Sequence, residues 1–479
     1  MTQRYHIITY GCQMNVADSE TLAGVLSKSG YEHTSNEDAA DLIIVNTCSV
    51  RQKAEERAIG RINDLRRLKR ARRSLNIAVV GCMAQRMKER LLERVPHVDL
   101  ILGPDRMFDL PEILRQKGHT PEAHTAFGHE NIDDAPPKRE SPYSAYLTIT
   151  RGCNNFCAFC IVPYVRGRER YHPVEFLVSA ARRLADDGVV ELTLLGQNVN
   201  SYRDGKVDFA GLIRRIARET DIRRIRYTSP HPKDLTLRLI ETHAEEPKLM
   251  PHMHLPLQSG SDRALYKMAR PYLYRHFRNM VHKLRQACPN IAVTTDAIVG
   301  FPTETEEDFR KTLAAFEEIQ FDSAFMFHYS EREGTLAARE LPDDVPFETK
   351  IERLERLIEL QKRISYCKNQ AEVGRSHEVL VDGFSRRDAS ILKGKTPNGK
   401  TALFSGDGAL IGAVRTVRVR EADSWTLHAE LYQPREGYRP LGLFHGHSSL
   451  AEQAPPSHGF HAVQMDPLTT PRRVAGGEA

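Results

Sequence analysis

The sequence predicts an α/β protein built from three folded parts, and three observations support that prediction. Apolar strands alternate with amphipathic helices through the first part, which is the pattern of an open parallel sheet covered by helices. The middle of the chain repeats a strand and a helix six times, which predicts a partial (βα)6 barrel. From about Gly374 the pattern changes to short alternating strands separated by turns, which is typical of a small β-barrel.

Changes in composition divide the chain into five segments. We predict an N-terminal α/β domain at residues 3–118, a linker at 119–138, the barrel at 139–370, the small β-barrel at 372–435 and a tail at 436–479. The linker is polar and rich in Pro, Asp, Glu and His, as connecting segments often are. The tail is rich in Pro, Gly and His and has few apolar residues, so we expect it to be disordered.

The overall composition argues against a membrane-spanning or disulfide-stabilised protein. The 479 residues contain no apolar run approaching about 18 residues, and the first residues lack a secretory pattern. The eight cysteines are therefore expected to be reduced thiols or metal ligands. We expect a cytoplasmic enzyme, whose net charge of +5 permits an anionic partner.

Three cysteines follow the first three predicted strands of the N-terminal sheet. The strands are placed at residues 5–11, 41–47, 76–81 and 98–103, with helices at 16–30, 51–73 and 109–117. Cys12, Cys48 and Cys82 therefore lie at the carboxyl edge of one parallel sheet, where ligands bind in such folds. Three converging thiolates could hold a metal cluster. The alternative is three unrelated buried cysteines, since free cysteine packs as a small hydrophobe.

A second group of cysteines follows the first strand of the predicted barrel. The barrel strands are placed at 145–150, 190–195, 224–228, 252–257, 291–299 and 323–329. Cys153, Cys157 and Cys160 have the spacing C-x3-C-x2-C directly after the first of them. Three thiolates can hold three irons of a 4Fe–4S cube and leave the fourth iron open to a substrate or cofactor. The alternative is an incomplete zinc site or a loop of reduced thiols.

Polar residues follow the other barrel strands, at the end where such barrels place their active sites. These residues are Gly196-Gln-Asn198, Ser229-Pro-His231, Gln258-Ser-Gly-Ser-Asp262, Asp296 and Gly300-Phe-Pro302. Single residues among them could instead be helix caps or internal polar groups of the barrel. A long amphipathic helix at 348–372 then leads to strands at 376–382, 400–404, 413–420 and 426–431.

Basic residues cluster at three places in the chain. Residues 61–73 contain seven basic residues and one acid. The other clusters are Arg166, Arg168 and Arg170, and Arg415, Arg418 and Arg420. Such clusters contact the phosphates of nucleic acids, but the solvated face of a helix or an edge strand has the same composition.

Several motifs together resemble a known enzyme family. They are Gly11-Cys-Gln-Met-Asn15, Asn46-Thr-Cys-Ser-Val-Arg51 with Lys53-Ala54, Gly81-Cys-Met-Ala84, Gly152-Cys-Asn-Asn-Phe-Cys-Ala-Phe-Cys-Ile-Val-Pro163 with Arg166-Gly167, Leu194-Leu-Gly-Gln-Asn-Val199, Leu255-Pro-Leu-Gln-Ser-Gly-Ser261 and Val299-Gly-Phe-Pro302. Over residues 3–435 the sequence resembles the methylthiotransferase family of radical S-adenosylmethionine (SAM) enzymes. That family has an N-terminal cluster domain, a radical SAM barrel and a C-terminal TRAM domain. The motifs are most similar to the branch that acts on N6-isopentenyladenosine at position 37 of tRNA.

The resemblance implies two 4Fe–4S clusters and SAM as cofactors. One cluster would be held by Cys153, Cys157 and Cys160 and the other by Cys12, Cys48 and Cys82. In the family, the first cluster cleaves SAM to a 5′-deoxyadenosyl radical and the second carries or donates sulfur, which another SAM methylates. The resemblance also implies that Gln197, Asn198 and Asp296 contact SAM.

The implied partners are the anticodon loop of tRNA and an electron donor such as flavodoxin or ferredoxin, with the protein acting as a monomer. The sequence identifies neither the sulfur donor nor catalytic side chains beyond the cluster ligands. Alternative functions are methylthiolation of threonylcarbamoyl-adenosine in tRNA or of a ribosomal protein aspartate, or a non-catalytic iron–sulfur protein that binds RNA.

Two short segments depart from the family pattern. Arg332-Glu-Gly-Thr335 stands where Arg-Pro-Gly-Thr is common, and Gly394-Lys-Thr396 stands where TRAM domains usually have Gly-Arg-Thr. Lysine keeps the charge of arginine but lacks its planar fork, so the departure weakens the expectation of an RNA contact at Lys395.

Overall fold

The computed structural model describes residues 2–49, 52–116, 118, 120–128 and 136–432. These residues contain the three predicted folded parts, and all of them belong to one compact unit. The predicted tail at 436–479 and residues 129–135 of the predicted linker lie outside the described residues. Within the described ranges, no helix combines the length and the apolar composition needed to cross a bilayer.

The N-terminal part is a six-stranded, all-parallel sheet with helices on both faces. Its elements are β1 (Arg4–Thr9), α1 (Gln13–Lys28), β2 (Glu32–His33), β3 (Leu42–Thr47), α2 (Gln52–Asp64), α3 (Arg66–Ala71), β4 (Asn76–Gly81), α4 (Cys82–Met87), α5 (Glu89–Arg94), β5 (Leu100–Leu102), α6 (Leu110–Gln116) and β6 (Glu122–His124). The strand order is β2-β1-β3-β4-β5-β6. The short strands β2 and β6 were not predicted, and β6 lies within the predicted linker.

Alternation along β3 explains why both faces of this sheet are covered. Ile43 and Val45 pack in one core with residues of α2, whereas Leu42 and Ile44 pack in another core with residues of α1. Successive strand residues point to opposite faces, so a strand that is apolar at every position needs helices on both sides.

The central part is a partial barrel that is open on one side. Its elements are β7 (Ser144–Thr148), β8 (Thr150–Arg151), α7 (Val162–Arg166), β9 (Arg170–Tyr171), α8 (Val174–Asp186), β10 (Glu191–Leu195), β11 (Arg203–Asp204), β12 (Val207–Asp208), α9 (Phe209–Glu219), β13 (Arg224–Tyr227), α10 (Leu237–Glu245), β14 (His252–His254), α11 (Asp262–Lys267), α12 (Tyr274–Ala287), β15 (Ala292–Val299), α13 (Glu306–Ile319), β16 (Ser323–His328), α14 (Leu336–Glu340) and α15 (Phe347–Gln370).

Six parallel strands form the wall of this barrel, as predicted. The sheets β7-β10-β13 and β14-β15-β16 meet where the Ile225 N–H donates to the Lys248 carbonyl at 2.7 Å. Strands β7 and β16 end this row of described strands, so the barrel is open between them. Pro271 separates α11 from α12, because proline cannot continue a helix.

The C-terminal part is a closed five-stranded barrel. Its strands are β17 (Ser376–Phe384), β18 (Ile391–Lys395), β19 (Thr401–Ser405), β20 (Val414–Ala422) and β21 (Thr426–Leu431). They close in the order β17-β18-β19-β21-β20. Strand β18 was not predicted, because its sequence Ile-Leu-Lys-Gly-Lys combines two lysines with a glycine, residues that strands use sparingly.

This small barrel docks on the amino-terminal end of the larger one. Arg224 donates to the carbonyls of Lys395 and Glu378, and Arg226 donates to those of Thr396 and Pro397. The ammonium group of Lys395 donates to Thr401 at 2.7 Å, and burial lowers its pKa. Lys395 is therefore part of the junction between the two barrels, which argues further against an RNA contact at this residue.

Candidate functional site

Strand order brings the three N-terminal cysteines to neighbouring loops. Strands β1, β3 and β4 are adjacent, with Thr9 opposite Asn46 and Thr47 opposite Gly81. Cys48 and Cys82 directly follow β3 and β4, and Cys12 is the N-cap residue of α1, shortly after β1. The prediction that these cysteines share one carboxyl edge is confirmed. Their role as cluster ligands stays a prediction.

Two glycines allow the three loops to approach each other closely. Gly11 and Gly81 have φ values of +136° and +95°, which disfavour any residue with a Cβ. A Cβ on Gly11 would lie 2.7 Å from the Cβ of Cys48, and one on Gly81 would lie 2.5 Å from the Thr47 carbonyl oxygen. The chain therefore needs glycine before both Cys12 and Cys82.

A buried amide network joins the loops behind the cysteines. Asn15 donates to the Asn46 side-chain oxygen at 3.0 Å and to the Thr47 carbonyl at 3.1 Å. Asn46 donates in return to the Asn15 carbonyl and to Ser19, both at 2.9 Å. Buried polar groups that satisfy each other in this way hold a single arrangement, so the network fixes the loops relative to one another.

The barrel cysteines lie on one loop that is tied to the surrounding barrel. The Cys153 N–H donates to the Gly167 carbonyl at 3.2 Å, and the Ala158 N–H donates to the Met268 carbonyl at 2.9 Å. Burial raises the pKa of the Cys160 thiol, and the charge of Cys157 adds to the shift. Buried thiols of this kind become thiolates only when a cation compensates the charge, as cluster iron would.

Each group of three cysteines has a buried arginine that donates to one of its sulfur atoms. Arg270 donates to Cys157 Sγ at 3.3 Å and to the Pro256 carbonyl at 2.9 Å. Arg166 donates to Cys82 Sγ at 3.3 Å. Hydrogen bonds from a cationic donor stabilise negative charge on sulfur, so both arginines suit thiolate ligands. Neither pairing has a signal in the sequence.

Arg166 also connects the two groups of cysteines. It lies on α7, directly after the barrel cysteine loop, and it binds Asp18 of α1 at 2.8 Å. Arg151, just before the same loop, binds the other oxygen of Asp18 at 3.0 Å. Ile161 and Val165 pack directly on Cys82. The segment that carries the barrel cysteines is thus anchored on the N-terminal cysteine site.

These contacts correct two interpretations of the basic clusters. Arg166 and Arg170 were candidate phosphate contacts, but Arg166 is buried against Asp18, and Arg170 forms two 2.8 Å hydrogen bonds with Asp105. Arg168 lies over the Phe156 ring, 4.5 Å from its centroid. A cluster of arginines in a sequence indicates a possible phosphate contact. Arg166 and Arg170 instead form structural ion pairs, because each lies against a carboxylate.

The basic run at 61–73 lies at the opposite edge of the N-terminal sheet. Lys69 of α3 binds the Leu75 carbonyl, directly before β4, and Asp99, directly before β5. With Arg66, Arg70 and Arg73 it lines a cavity of about 460 Å³. This cavity lies at the amino-terminal ends of the strands, whereas the cysteines lie at the carboxyl-terminal ends, so the run is not beside the cysteine site.

The three residues predicted to contact SAM lie at different depths in the barrel. Gln197 accepts a 2.5 Å hydrogen bond from the Gly152 N–H, directly before Cys153. Asn198 donates to Asp234 at 2.8 Å. Asp296 lies on β15 inside the barrel, 3.2 Å from a ring nitrogen of His254. Gln197 is thus placed to brace the cysteine loop.

The barrel mouth contains buried polar atoms that suit a polar cofactor. They have no hydrogen-bond partner among the described residues, and they belong to Thr150, Asn198, His231 and Gln258. Each follows one of the first four barrel strands. Since buried polar groups are normally satisfied, a bound molecule with several donors and acceptors fits this mouth.

The cysteines are not arranged around a single point. Among the described residues, no three His, Cys, Asp or Glu side chains converge as they would on one metal ion. A 4Fe–4S cube does not need that arrangement, because each cysteine binds a different iron. The donor set of three thiols in each group therefore fits such a cluster.

Comparison with known families divides the chain into the same three parts. Residues 4–103 match the Uncharacterized protein family UPF0004, residues 147–316 match the Radical SAM superfamily, and residues 370–432 match the TRAM domain. Membership of the Radical SAM superfamily implies a 4Fe–4S cluster and SAM. The strand patterns of the barrel and of the C-terminal part agree with these matches.

Solved structures show the same fold at low sequence identity. The radical SAM methyltransferase TsrM from Kitasatospora setae, with cobalamin and a [4Fe-4S] cluster bound, has a TM-score of 0.50 at 14% identity, over 68% of this chain and 75% of that chain. The same enzyme with tryptophan and aza-SAM has a TM-score of 0.51, over 68% and 72%.

Curated relatives align along most of the chain. The tRNA-2-methylthio-N(6)-dimethylallyladenosine synthase of Moorella thermoacetica is 45% identical over 436 residues, which are 89% of this chain and 98% of the relative. The protein with the same name from Dictyoglomus thermophilum is 44% identical over 433 residues, again 89% and 98%. The chain therefore belongs to the tRNA-2-methylthio-N(6)-dimethylallyladenosine synthase family of radical SAM proteins.

Proposed function

We propose that this protein transfers a methylthio group to N6-isopentenyladenosine at position 37 of tRNA, using SAM and two 4Fe–4S clusters. The names of relatives that are 44–45% identical along 89% of the chain give the substrate class. We propose that the protein acts as a monomer and receives electrons from a small donor such as flavodoxin or ferredoxin.

The observation that carries the proposal is the pair of cysteine groups joined by α7. Cys153, Cys157 and Cys160 precede this helix, and Arg166 at its end reaches Cys82 of the other group. Cleavage of SAM to a radical requires only the first group. The second group, held against the first, supports a reaction that combines a radical with a sulfur source.

The barrel residues suit the binding of SAM and a cluster. We assign the cluster to the three barrel cysteines, and we assign SAM contacts to Asn198 and Asp296, whose side-chain oxygens can accept hydrogen bonds. Gln197 acts by holding Gly152, so it positions the cysteine loop. Arg270 stabilises the negative charge of the Cys157 thiolate.

The N-terminal residues suit a second cluster. When bound, the barrel cluster with SAM would supply a carbon-centred radical, and the second cluster would supply the sulfur. Cys12 is exposed, whereas Cys48 and Cys82 are buried, so this site faces outward on one side. Arg166 stabilises the Cys82 thiolate, and Ile161 and Val165 exclude water from its inner side.

The C-terminal barrel suits contacts with the RNA. Its exposed residues include Phe384, Trp425 and Arg415. Exposed aromatic side chains stack on unpaired bases, and cationic ones bind phosphates. Arg418 lies over the Tyr432 ring, 4.2 Å from its centroid, and Arg420 pairs with Glu430. To bind RNA, either arginine would have to keep its present contact or exchange it for one with the RNA.

The test is reconstitution followed by analysis of the modified nucleoside. Anaerobically reconstituted protein should hold close to eight irons, cleave SAM when reduced with dithionite, and convert N6-isopentenyladenosine in tRNA to its 2-methylthio derivative, as seen by mass spectrometry. Failure to form 5′-deoxyadenosine would refute the radical reaction. SAM cleavage without any change in the tRNA nucleosides would refute the choice of tRNA as the substrate.

A further inference from the structure

The last barrel strand presents two exposed phenyl rings to the inside of the barrel. Ala324 and Met326 of β16 pack against the core between the barrel and its helices. Strand residues alternate between faces, so Phe325 and Phe327 point to the other side, into the barrel. Phe325 is 56% exposed and Phe327 is 38% exposed.

Register with the neighbouring strand confirms this direction. Phe325 lies opposite Asp296 and Phe327 lies opposite Ile298 on β15. The Phe325 ring also meets the His254 ring edge to face, with centroids 6.0 Å apart. His254 and Asp296 pair inside the barrel, so Phe325 belongs to the same interior surface.

The two rings lie between the closed end of the barrel and the cysteine loop. At the amino-terminal end, Gly399 of the small barrel approaches the His252 ring so closely that a Cβ there would lie 3.1 Å from it. At the other end, Ile298 packs in a cluster that contains Ala158, which lies between Cys157 and Cys160. An occupant of the space beside Phe327 would therefore be next to the proposed SAM site.

We infer that Phe325 and Phe327 form an apolar platform for the prenylated adenine, and that this platform selects the prenyl group. The inference rests on the proposed function. The flat face of a base and a branched five-carbon alkenyl group both suit apolar contact, and exposed phenyl rings at the open side of the barrel can stack on the first and bury the second.

The same platform disfavours the alternative targets of the enzyme family. Threonylcarbamoyl-adenosine and a protein aspartate each carry a carboxylate, which phenyl rings do not solvate. The carboxylate of Asp296 lies on the strand directly beside Phe325, and it would repel a second negative charge. Selection would thus combine apolar contact with the prenyl group and exclusion of acidic targets.

The experiment measures binding of three RNAs to the reconstituted full-length protein. The probes are anticodon stem–loop oligonucleotides that carry N6-isopentenyladenosine, adenosine or N6-threonylcarbamoyladenosine at position 37, with fluorescence anisotropy as readout. Burial of two or more carbons predicts that the wild type binds the prenylated RNA about tenfold more tightly than the unmodified one. The threonylcarbamoyl RNA should bind no better than the unmodified RNA.

The double variant Phe325→Ala/Phe327→Ala should reduce the tenfold preference to less than about twofold, while the affinity for unmodified RNA falls much less. Phe325→Leu should keep part of the preference because it keeps apolar area. Tyr366→Ala removes an exposed ring from the outer helix α15 and should keep all of it. Thermal unfolding and iron content would show that each variant is folded and loaded.

A double variant that keeps the wild-type preference would overturn the platform, as would an equal loss of affinity for the prenylated and unmodified RNAs. If the wild type binds the RNAs alike yet forms the 2-methylthio product, only the platform is wrong. If it binds them alike and forms no product, the proposed function fails as well.

Discussion

The two groups of cysteines are built in opposite ways. Cys153, Cys157 and Cys160 lie on one loop, so local sequence brings them together. Cys12, Cys48 and Cys82 follow three different strands, and only the sheet order brings them together. The first group therefore depends on one loop and on its contacts within the barrel. The second needs the correctly folded sheet, and its geometry should respond to changes that leave the first intact.

The arginines that donate to the sulfur atoms also differ, because one stays within its own part of the chain and the other reaches into a different part. Arg270 has its other contacts within the barrel, at Pro256 and Tyr272. Arg166 comes from the barrel part of the chain but binds Cys82 in the N-terminal sheet. The cationic donor of the N-terminal site thus comes from the barrel part of the chain. The contact between the N-terminal sheet and the barrel is therefore a component of that site.

The largest expected effect comes from removing one cysteine of each group. Cys157→Ala should abolish both SAM cleavage and methylthiolation, because the radical source is lost. Cys48→Ala should abolish methylthiolation but leave SAM cleavage, because the barrel group remains complete. Each variant should lose about half of the iron. Iron analysis, 5′-deoxyadenosine formation and nucleoside mass spectrometry measure the three quantities.

A matched control for these variants is Cys367→Ala, since Cys367 is an exposed cysteine on α15 that belongs to neither group. It should change none of the three quantities. Loss of SAM cleavage in Cys48→Ala would show that the two sites do not work separately.

The next effect concerns the anchor between the two groups. Asp18→Asn would leave Arg151 and Arg166 buried without their carboxylate. Breaking a buried ion pair by removing one partner typically costs about 3–5 kcal/mol, so the urea midpoint of the protein without clusters should fall clearly. Glu112→Gln, which removes a surface pair with Arg115, should leave the midpoint unchanged. Equal midpoints for Asp18→Asn and the wild type would show that the anchor contributes nothing.

The sequence predicted the fold better than it predicted these contacts. All six barrel strands were predicted to within a few residues of their observed bounds, because apolar runs alternate there with segments of clear helical period. The short strands β2 and β6 escaped prediction because two or three residues show no period. The cysteine positions followed from the rule that parallel strands share a carboxyl edge.

The electrostatic environment of the site was beyond the reach of the sequence. Arg166 and Arg170 were read as phosphate contacts because their charge is visible in the sequence and their partners Asp18 and Asp105 are 148 and 65 residues away. One signal was available for Asp18. It lies three residues after Asn15 on α1, so the two polar residues share a helix face that also carries Leu22.

A smaller effect tests how far the N-terminal group depends on close packing of its loops. Gly81→Ala places a Cβ 2.5 Å from the Thr47 carbonyl at a left-handed φ, whereas Gly30→Ala has a left-handed φ of +87° in open space. Gly30→Ala should cost about 1–2 kcal/mol from the backbone alone. Gly81→Ala should cost about 3 kcal/mol, since packing strain adds to the backbone term.

The two glycine variants should also differ in their iron content. Gly81→Ala should lose the iron of the N-terminal group and keep SAM cleavage, whereas Gly30→Ala should keep both. Urea unfolding and iron analysis after reconstitution provide the comparison. Full iron content in Gly81→Ala would mean that the loops tolerate a wider spacing than the structure shows.

The smallest expected effect separates the two arginines. Lysine cannot reproduce the geometry of a guanidinium that donates to sulfur and to a second group. A net hydrogen-bond contribution of about 0.5–1.5 kcal/mol corresponds to a one-electron potential shift of about 20–60 mV. The more reduced cluster is more negative and gains more from the donor, so both lysine variants should lower the reduction potential.

Arg270→Lys should lower the reduction potential of the barrel cluster, measured by EPR-monitored titration in a Cys48→Ala background. Arg166→Lys should lower that of the N-terminal cluster, measured in a Cys157→Ala background. If Arg166→Lys, placed in the Cys48→Ala background, shifted the barrel cluster as strongly as it shifts the N-terminal cluster in the Cys157→Ala background, the arginine would be acting on the interface as a whole and not through its bond to Cys82.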